Sequence, residues 1–268
     1  MKTRRGVALM LALWLIVILS LVAARVSTSA RSSTSIAANL RARTSGKYAA
    51  ESGIVVGAQA VRTRLSVLTD AKVRSSYLNS LEPNGAHGGE RALGDARFAI
   101  VYVDVSSRLD VNNSSRAQLA RLFSFFTGPV DAARAADAIR TRIGADDILP
   151  GERSRFGAPR TDIVYPSLPA PRPLRSLEEL RTIDGVSEAL AFAAAPYLTV
   201  DGDGKINRAA ASDTVLAAAA GSLVDEPSRL MIVSRGWVPG QPLTHEIRAV
   251  YAVDGNRLLL VRWEERDL

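Results

Sequence analysis

Few residues in this chain could do catalytic chemistry. The 268 residues include two histidines and no cysteine, so neither a thiolate nucleophile nor a disulfide framework is available. His87 lies in a glycine-rich segment, and His245 lies in a predicted strand beside Glu246, so surface or sheet-edge positions account for both. No serine stands in a recognisable nucleophile elbow. Because no catalytic constellation assembles, the sequence predicts a protein that is not an enzyme.

A second feature that could do chemistry is the acidic segment at 201–204. Its sequence, Asp-Gly-Asp-Gly, matches the middle of a calcium loop, in which oxygens at alternate positions wrap the ion and glycine permits the turn. The flanking ligand positions of such a loop are Thr199 and Ala210, and alanine supplies no bidentate carboxylate. Two interpretations stay open: a calcium site that uses Asp201, Asp203 and distant oxygens, or a plain Asp-Gly turn.

The third feature is at the N-terminus, where a basic pair and a glycine precede a long apolar run. Arg-Arg-Gly at 4–6 is followed by an apolar run at 7–24, and nothing ionisable follows until Arg25. Roughly 18 uncharged residues are about the minimum that spans a bilayer core. A secretory signal peptide would end in a small-residue cleavage site, which residues 22–24 loosely imitate. The chain beyond continues at helical spacing, so we expect a helix that spans the membrane at 7–25 and continues outside it.

This N-terminus resembles that of the type IV prepilins, in which a short basic leader ends in glycine. The resemblance implies that a membrane-embedded aspartyl peptidase cuts after Gly6 and that the new N-terminus, Val7, is methylated. Most prepilins carry glutamate as the fifth mature residue, where this chain has Leu11. A carboxylate in lipid must be paired, and the amine of a neighbouring subunit could pair with it, so a subunit without the carboxylate cannot bind a subunit above it in this way. Leu11 therefore favours the tip of a filament; the alternative is a simple membrane-spanning leucine.

The segment from Ser27 to about Leu81 contains no proline and has apolar residues at broadly helical spacing, which predicts one long helix. Gly46, Gly53 and Gly57 each cost about 1 kcal/mol relative to alanine in a helix interior, so the helix can bend at these positions. The helix should stop in the turn-rich segment 82–89, which contains proline and several glycines.

Alternating apolar residues predict one strand at 97–105 and three more near the C-terminus, at 229–234, 243–253 and 256–263. The Asp-Gly-Asn sequence at 254–256 is a hairpin turn between the last two strands. A long N-terminal helix on a small antiparallel sheet is an α+β, pilin-like architecture. More than a hundred residues separate the first strand from the other three, which is far longer than an ordinary connection. A folded insert must lie between them.

The insert is predicted to be helical. Its helix candidates are 114–126, 130–143, 176–181 and 187–195, with a proline-rich loop at 159–173. A weak internal repeat accompanies them: a basic–aliphatic–Asp/Asn triplet at 108–110 and again at 205–207 is followed, at the same spacing, by Ser115 and Ser212. Each copy predicts a strand end that leads into a capped helix. The side-chain acceptors would be Asp110 or Asn112 in the first copy and Asn207 in the second.

Together these features resemble one family over essentially the whole chain: the type II secretion minor pseudopilins known as general secretion pathway protein K. The features that carry the resemblance are the leader, Leu11 in place of glutamate, the large insert and the segments 109–113, 176–186 and 205–207. In the second repeat Ala209 replaces the expected asparagine, so a polar role there is in doubt.

The resemblance implies a long N-terminal transmembrane helix packed on a small antiparallel sheet, with a large all-helical insert. The implied divisions are a leader at 1–6, a transmembrane helix at 7–25, the helix continuation and first strand at 26–112, the insert at 113–204, and a return to the pilin-like domain with the C-terminal strands at 205–268. The implied location is the bacterial inner membrane, crossed once, with the body in the periplasm. The basic residues Lys2, Arg4 and Arg5 agree with a cytoplasmic leader.

The resemblance also implies a non-catalytic role at the tip of the periplasmic pseudopilus, which supports protein export across the outer membrane. The implied partners are other minor pseudopilins, the major pseudopilin, the prepilin peptidase, the inner-membrane secretion platform, and secreted substrates or the secretin. Calcium is known in the periplasmic head of the family, which implies a metal for Asp201 and Asp203.

An alternative function is DNA binding, because the formal net charge of the chain is +7. The triplet Asp184-Gly185-Val186 lies between two predicted helices, as in helix-hairpin-helix modules that bind nucleic-acid phosphates through backbone amides. The chain would then be a membrane-anchored DNA-binding or DNA-uptake minor pilin. Asp184 and Glu188 put negative charge at the phosphate position, so this is the weaker hypothesis.

Overall fold

The structure, a computed structural model, describes residues 4–81, 89–144, 172–219, 221 and 223–268, with side chains of the first helix described for 10–26 and from 35 onward. Residues 82–88 of the predicted turn segment, with His87, and residues 159–171 of the predicted loop lie outside the described residues.

The helices are α1 (Arg4–Val67), α2 (Ala71–Asn79), α3 (Arg116–Phe123), α4 (Pro129–Ile143), α5 (Glu188–Ala194) and α6 (Asp213–Ala218). The strands are β1 (Arg91–Leu93), β2 (Ala96–Asp104), β3 (Leu109–Asp110), β4 (Leu198–Thr199), β5 (Ile206–Asn207), β6 (Leu223–Val224), β7 (Arg229–Trp237), β8 (Thr244–Asp254) and β9 (Arg257–Asp267). Short 3-10 helices occupy Val105–Ser107, Leu177–Thr182 and Ala195–Tyr197.

The long N-terminal helix is confirmed as α1, which is continuous over 64 residues. The prediction that it runs to Leu81 was wrong, because α1 ends at Val67. After a short break, Asp70 begins α2 by accepting hydrogen bonds from the backbone N–H groups of Lys72 and Val73. This cap satisfies the first amides of a new helix, so one helix ends and another begins here without a proline or a glycine.

The main sheet is antiparallel, with five strands in the order β1-β2-β7-β8-β9. The four predicted strands correspond to β2, β7, β8 and β9, whereas the short strand β1 was not predicted. Gly255, at φ 58°, turns the chain between β8 and β9, where the hairpin was expected. Because β2 pairs with β7, the ends of the insert leave the sheet from neighbouring strands. The predicted α+β architecture is confirmed.

Glycines let α1 approach β7 more closely than side chains would allow. A Cβ added to Gly236 of β7 would lie 2.1 Å from the backbone oxygen of Gly46 and 2.4 Å from the backbone nitrogen of Ala50. A Cβ added to Gly53 would lie 2.0 Å from Ser234 Oγ. The glycines at 46 and 53 allow a helix to bend, and α1 is continuous through both. Their function in the fold is close contact with the sheet.

Two hydrophobic cores lie side by side. The first fills the space between α1, α2 and the main sheet, and its large members include Ile54, Leu65, Leu78, Phe98 and Ile232. The second lies inside the insert and joins α3, α4, α5 and α6 to the short parallel pairs β3–β4 and β5–β6. This second core draws residues from Leu109 to Ala219, a wider range than the predicted 113–204. The insert is predominantly helical, with two short parallel pairs that the sequence did not predict.

The internal repeat is visible as a repeated hydrogen-bonding pattern. In the first copy, Asp110 at the end of β3 accepts a hydrogen bond from the N–H of Asn112. The N–H of Val111 donates to the oxygen of Thr199 in β4, and Ser115 caps α3. The aspartate therefore shapes the turn, and the serine starts the helix.

The second copy reproduces these bonds. Asn207 at the end of β5 accepts from the N–H of Ala209, the N–H of Arg208 donates to the oxygen of Val224, and Ser212 caps α6. The predicted repeat is confirmed as a strand, a side-chain-stabilised turn and a serine-capped helix that occur twice.

The two copies differ at one position. The amide of Asn112 donates to the oxygens of Leu174 and Val200 and accepts from the N–H of Leu174. The equivalent residue, Ala209, has no group that could make these bonds, as the sequence indicated. Only the first copy ties three chain segments together through this side chain.

Polar side chains fasten the insert to the main sheet. Arg262 of β9 donates to Asp201 Oδ1 at 2.6 Å and to the backbone oxygen of Arg175 at 2.6 Å. Asp104, at the end of β2, accepts from Asn207 Nδ2 at 2.7 Å. Because Asp104 and Asn207 are both buried, this bond satisfies groups that water does not reach. The two attachments fix the insert against the sheet.

Candidate assembly surface

The N-terminal half of α1 lies clear of the body of the protein. Every side chain described between residues 10 and 26 is exposed, and Ala42 is the first buried residue among the described side chains of α1. The exposed large apolar residues of this segment are Met10, Leu11, Leu13, Trp14, Leu15, Ile16, Val17, Ile18, Leu19, Leu21, Val22 and Val26. An exposed apolar surface of this extent marks a contact with lipid or with other protein chains.

The predicted processing site lies at the start of the same helix. Gly6 and Val7 belong to the first turns of α1, and cleavage between them and methylation of Val7 stay predictions. Leu11 is 67% exposed, so its side chain is accessible to a neighbouring molecule.

The sequence predicted a membrane span at residues 7–25. Among the residues that the structure describes, no helix combines the length and the apolar character that a membrane crossing needs.

Ion pairs hold α1 to the last strand where the helix reaches the sheet. Arg43 lies 2.6 Å from Asp267, and Lys47 donates to Glu265 at 2.7 Å. His245 Nδ1 is 2.7 Å from Asp267 Oδ1. The hydrogen bond from Lys47 lowers the pKa of Glu265, and the hydrogen bond with His245 lowers the pKa of Asp267. These contacts link α1 to β9 at the edge of the sheet.

The face of the sheet opposite α1 carries a buried carboxylate among arginines. Glu246 is 0% exposed and accepts hydrogen bonds from Arg235 at 2.6 Å, Arg248 at 2.8 Å and Arg266 at 2.9 Å. Burial raises the pKa of Glu246, but the bonds from Arg235 and Arg248 outweigh burial, so the net pKa is lowered. The expectation that His245 occupies a surface or edge position was wrong, because His245 is buried and β8 is an inner strand of the sheet.

The two predicted calcium ligands have different surroundings. Asp201 pairs with Arg262 at 2.6 Å. Asp203 accepts a hydrogen bond from Ser228 Oγ at 2.8 Å. Burial raises the pKa of Asp110, and the nearby charge of Asp203 adds to this increase. Within the described ranges, no group of three His, Cys, Asp or Glu residues is arranged to hold a metal ion. Sequence reasoning did not identify Asp110 as a neighbour of Asp203, although its place in the repeat marked it as a turn residue.

The segment that suggested DNA binding forms a turn between a 3-10 helix and α5. Gly185 has φ 98°, which such a turn can require. The start of α5 is already occupied, because Ser187 accepts from the N–H of Leu190, and Glu188 in the first turn pairs with Arg181. A phosphate at this position would meet a carboxylate as well as the helix N-terminus, so the geometry does not favour DNA binding.

Comparisons with known proteins agree with this arrangement. The family model described as PilX N-terminal matches residues 5–55, which cover the exposed apolar segment. The structure is similar to a chain in the crystal structure of the GspK-GspI-GspJ complex from the enterotoxigenic Escherichia coli type 2 secretion system, with 14% sequence identity and a TM-score of 0.52. The similarity covers 81% of this chain and 96% of that chain. No curated protein matches the sequence.

These comparisons bear on the family resemblance and on the fold. The N-terminal match and the structural similarity confirm the predicted resemblance to type II secretion minor pseudopilins. The fold match extends over the insert as well as the pilin-like domain, since it covers most of both chains.

Proposed function

We propose that this chain is a minor pseudopilin of a type II secretion system. The observation that carries the proposal is the exposed apolar N-terminal half of α1, because a subunit of this kind must pack that surface against lipid and then against other subunits. The PilX N-terminal match on the same segment and the fold shared with a chain of a type 2 secretion complex support it. The role is structural and non-catalytic: the surfaces of the protein bind other subunits.

The proposal extends to the tip of the pseudopilus. Leu11 lacks the carboxylate that would pair with the amine of a subunit above, and its apolar side chain is exposed. The insert adds a second core beside the pilin-like core, which widens the head of the subunit. A head of this width would obstruct stacking between ordinary subunits, so a cap is the position that accommodates it.

The proposal also names partners and a location. The similar chain comes from a three-protein complex, so we expect this chain to bind two further minor pseudopilins. The major pseudopilin, the prepilin peptidase, the inner-membrane secretion platform, and exported substrates or the secretin are further expected partners. We propose a single-pass inner-membrane protein with its head in the periplasm, because Lys2, Arg4 and Arg5 precede the apolar run.

The proposal predicts removal of residues 1–6 and a methylated Val7. The measurement is the N-terminal mass of the chain isolated from cells with and without a prepilin peptidase. Gly6→Leu should abolish the removal, because the resemblance implies that the peptidase recognises glycine before the cut. Ala8→Leu adds an equally large side chain two residues further on and should be processed like the wild type.

Two results would contradict the proposal. One is an intact N-terminus in cells that contain the peptidase. The other is a cut near Ala24, which would indicate an ordinary secreted protein.

Calcium is the metal that the resemblance implies for the acidic loop, and the residues fit it in part. Asp110 and Asp203 are neighbouring carboxylates whose repulsion a divalent cation would relieve. Gly202 permits the approach, since a Cβ there would lie 2.7 Å from Asp110 Cβ. Asp201 fits less well, because it is paired with Arg262 at 2.6 Å, whereas the nearest cation to Asp203, Lys205 Nζ, is 4.0 Å away. We therefore propose Asp110 and Asp203 as the carboxylate ligands for calcium.

Calcium should raise the midpoint of thermal unfolding relative to the same protein in EGTA. A ligand that binds only the folded state stabilises it by about 3 kcal/mol at about 100 times its Kd. Asp203→Asn should lose most of this gain. Asp201→Asn is the control: loss of the pair with Arg262 should lower the midpoint, but the gain from calcium should persist. An equal gain in both variants, or none in the wild type, would contradict this assignment.

A further inference from the structure

A cleft with several arginines lies between the insert and the face of the sheet opposite α1. Its volume is about 400 Å³. Its apolar lining includes Val105, Leu198 and Met231, and its arginines are Arg108, Arg175, Arg248 and Arg266. The volume falls within the range of about 300–1,000 Å³ that is typical of ligand pockets, and it is larger than a single carboxylate requires.

Two of the four arginines already have a counter-ion. Arg248 and Arg266 both donate to the buried carboxylate of Glu246. Two carboxylates that line the cleft, Asp201 and Glu264, also have a partner, because Arg262 of β9 forms an ion pair with each of them. These paired arginines and carboxylates connect the walls of the cleft, and because their charges largely cancel, they attract a charged ligand only weakly.

Arg108 and Arg175 differ from this pair. Within the described part of the chain, neither guanidinium has an ion pair or a hydrogen bond. Arg108 is half-buried in the cleft, and Arg175 is exposed at its rim. Glu178 is the third carboxylate of the cleft, and it has no cationic partner among the same residues. Two uncommitted arginines against one carboxylate leave the cleft with a net positive charge.

We propose that this cleft binds an acidic peptide segment of another protein, with Arg108 and Arg175 each binding one of its carboxylates. A guanidinium presents two parallel N–H donors that match the two oxygens of a carboxylate. The apolar lining accommodates the aliphatic part of a glutamate or a neighbouring side chain. This inference goes beyond the proposed function, because it assigns a ligand to the head rather than a packing role to α1.

The test is a fluorescence anisotropy titration of the full chain, purified in a neutral detergent, with a fluorescein-labelled glutamate–alanine decapeptide. Arg108→Ala and Arg175→Ala should each weaken binding about tenfold, as expected for loss of a hydrogen bond to a charged group. Glu178→Gln should tighten binding, because it removes the competing carboxylate. Added salt should weaken binding in the wild type.

The matched control is Arg121→Ala on α3, which removes the same charge from an exposed residue whose guanidinium contacts only its own helix in the described structure. Its Kd should stay within about twofold of the wild type, because an exposed charge at a distance is screened. Arg108→Lys keeps the charge but loses the paired donors and should lie between the wild type and Arg108→Ala. Circular dichroism spectra of all variants should coincide.

Three results would overturn the inference: no saturable binding of the acidic peptide, equal weakening by Arg121→Ala, or displacement of the peptide by an equal concentration of inorganic phosphate. The second would indicate long-range charge only, and the third a general anion site. A lysine–alanine decapeptide should not bind. This titration does not depend on N-terminal processing. If the peptide does not bind, the pseudopilin proposal is therefore unaffected. If the N-terminus is not processed, the inference that the cleft binds an acidic peptide is likewise unaffected.

Discussion

Gly236→Ala should lower the free energy of unfolding by about 3 kcal/mol, the upper end of the usual cost of overpacking. The added Cβ would lie 2.1 Å from the oxygen of Gly46 and 2.4 Å from the nitrogen of Ala50. Both are backbone atoms of α1, so no side-chain rotation can relieve the overlap. The helix must move away from β7, which opens the core around Ile54 and Ile232. The loss corresponds to about 6–12 °C in Tm for a protein of this size.

The measurement is urea unfolding of the full chain in a neutral detergent, followed by far-UV circular dichroism. Gly89→Ala is the matched control, because its added Cβ would meet no atom within 4 Å. We expect that variant to stay within about 0.5 kcal/mol of the wild type. A Gly236→Ala variant as stable as the control would mean that α1 does not contact β7 in the described way.

The role of these glycines shows where sequence reasoning stops. Periodicity predicted α1 and the strands β2, β7, β8 and β9, because each carries its pattern within a short window. For Gly46 and Gly53, the same local reasoning could count only the helix stability that glycine loses. The compensating contact is with Gly236 and Ser234, which are remote in sequence. No local pattern reports such a contact.

Some residues of the candidate sites could be predicted from the sequence, and others could not. Gly6, Val7 and Leu11 were identified because a basic pair, a glycine and an apolar run stand in one continuous stretch. Asp110 and Arg108 were not assigned a ligand, because their neighbours come from other parts of the insert and the sheet. The repeat did mark Asp110 as a turn residue, since each copy is complete within a short segment. Local turns were predictable, and the convergence of distant charges was not.

Charge on the main sheet is another property that depends on strand register. Arg235 of β7 and Arg266 of β9 are both paired directly with Glu246 in the strand register, because β8 lies between β7 and β9. In the sequence, Glu246 appears as one charge beside His245 in a predicted strand, and nothing local indicates which strands flank it. The sheet order makes that strand an inner one and surrounds the carboxylate with guanidinium groups. The energetic consequence can be measured.

Glu246→Gln should lower the free energy of unfolding by about 2 kcal/mol at neutral pH. Glutamine keeps the shape of the side chain, but Arg235, Arg248 and Arg266 lose their shared counter-ion. The N–H groups of the new amide also face the N–H groups of the guanidiniums, and two donors cannot form a hydrogen bond with each other. Removing one partner of a buried ion pair costs about 3–5 kcal/mol. The side chains of these arginines are between 37% and 56% exposed, so solvent screening reduces the cost.

The size of this effect should depend on pH in a direction that the pKa of Glu246 determines. In the folded protein this pKa is lowered from its ordinary value of 4.5, so the unfolded chain binds the proton more tightly. The stabilisation by the carboxylate is therefore fully present above pH 4.5 and is lost as the pH falls through the folded pKa. The glutamine variant does not titrate at this position. The advantage of the wild type over it should be constant near neutral pH and should shrink in acid.

Urea unfolding of the wild type and of Glu246→Gln, from neutral pH down to about pH 2, measures the difference in their free energies of unfolding. Glu188→Gln makes the same change at an exposed pair with Arg181, and it should cost at most about 0.5 kcal/mol at any pH. A wild-type advantage that persists undiminished at about pH 2, well below the ordinary carboxyl pKa, would contradict a carboxylate held ionised by the arginines. If the advantage of the wild type shrinks in acid, the ionised carboxylate of Glu246 stabilises the face of the sheet opposite α1. That face forms one wall of the arginine-rich cleft.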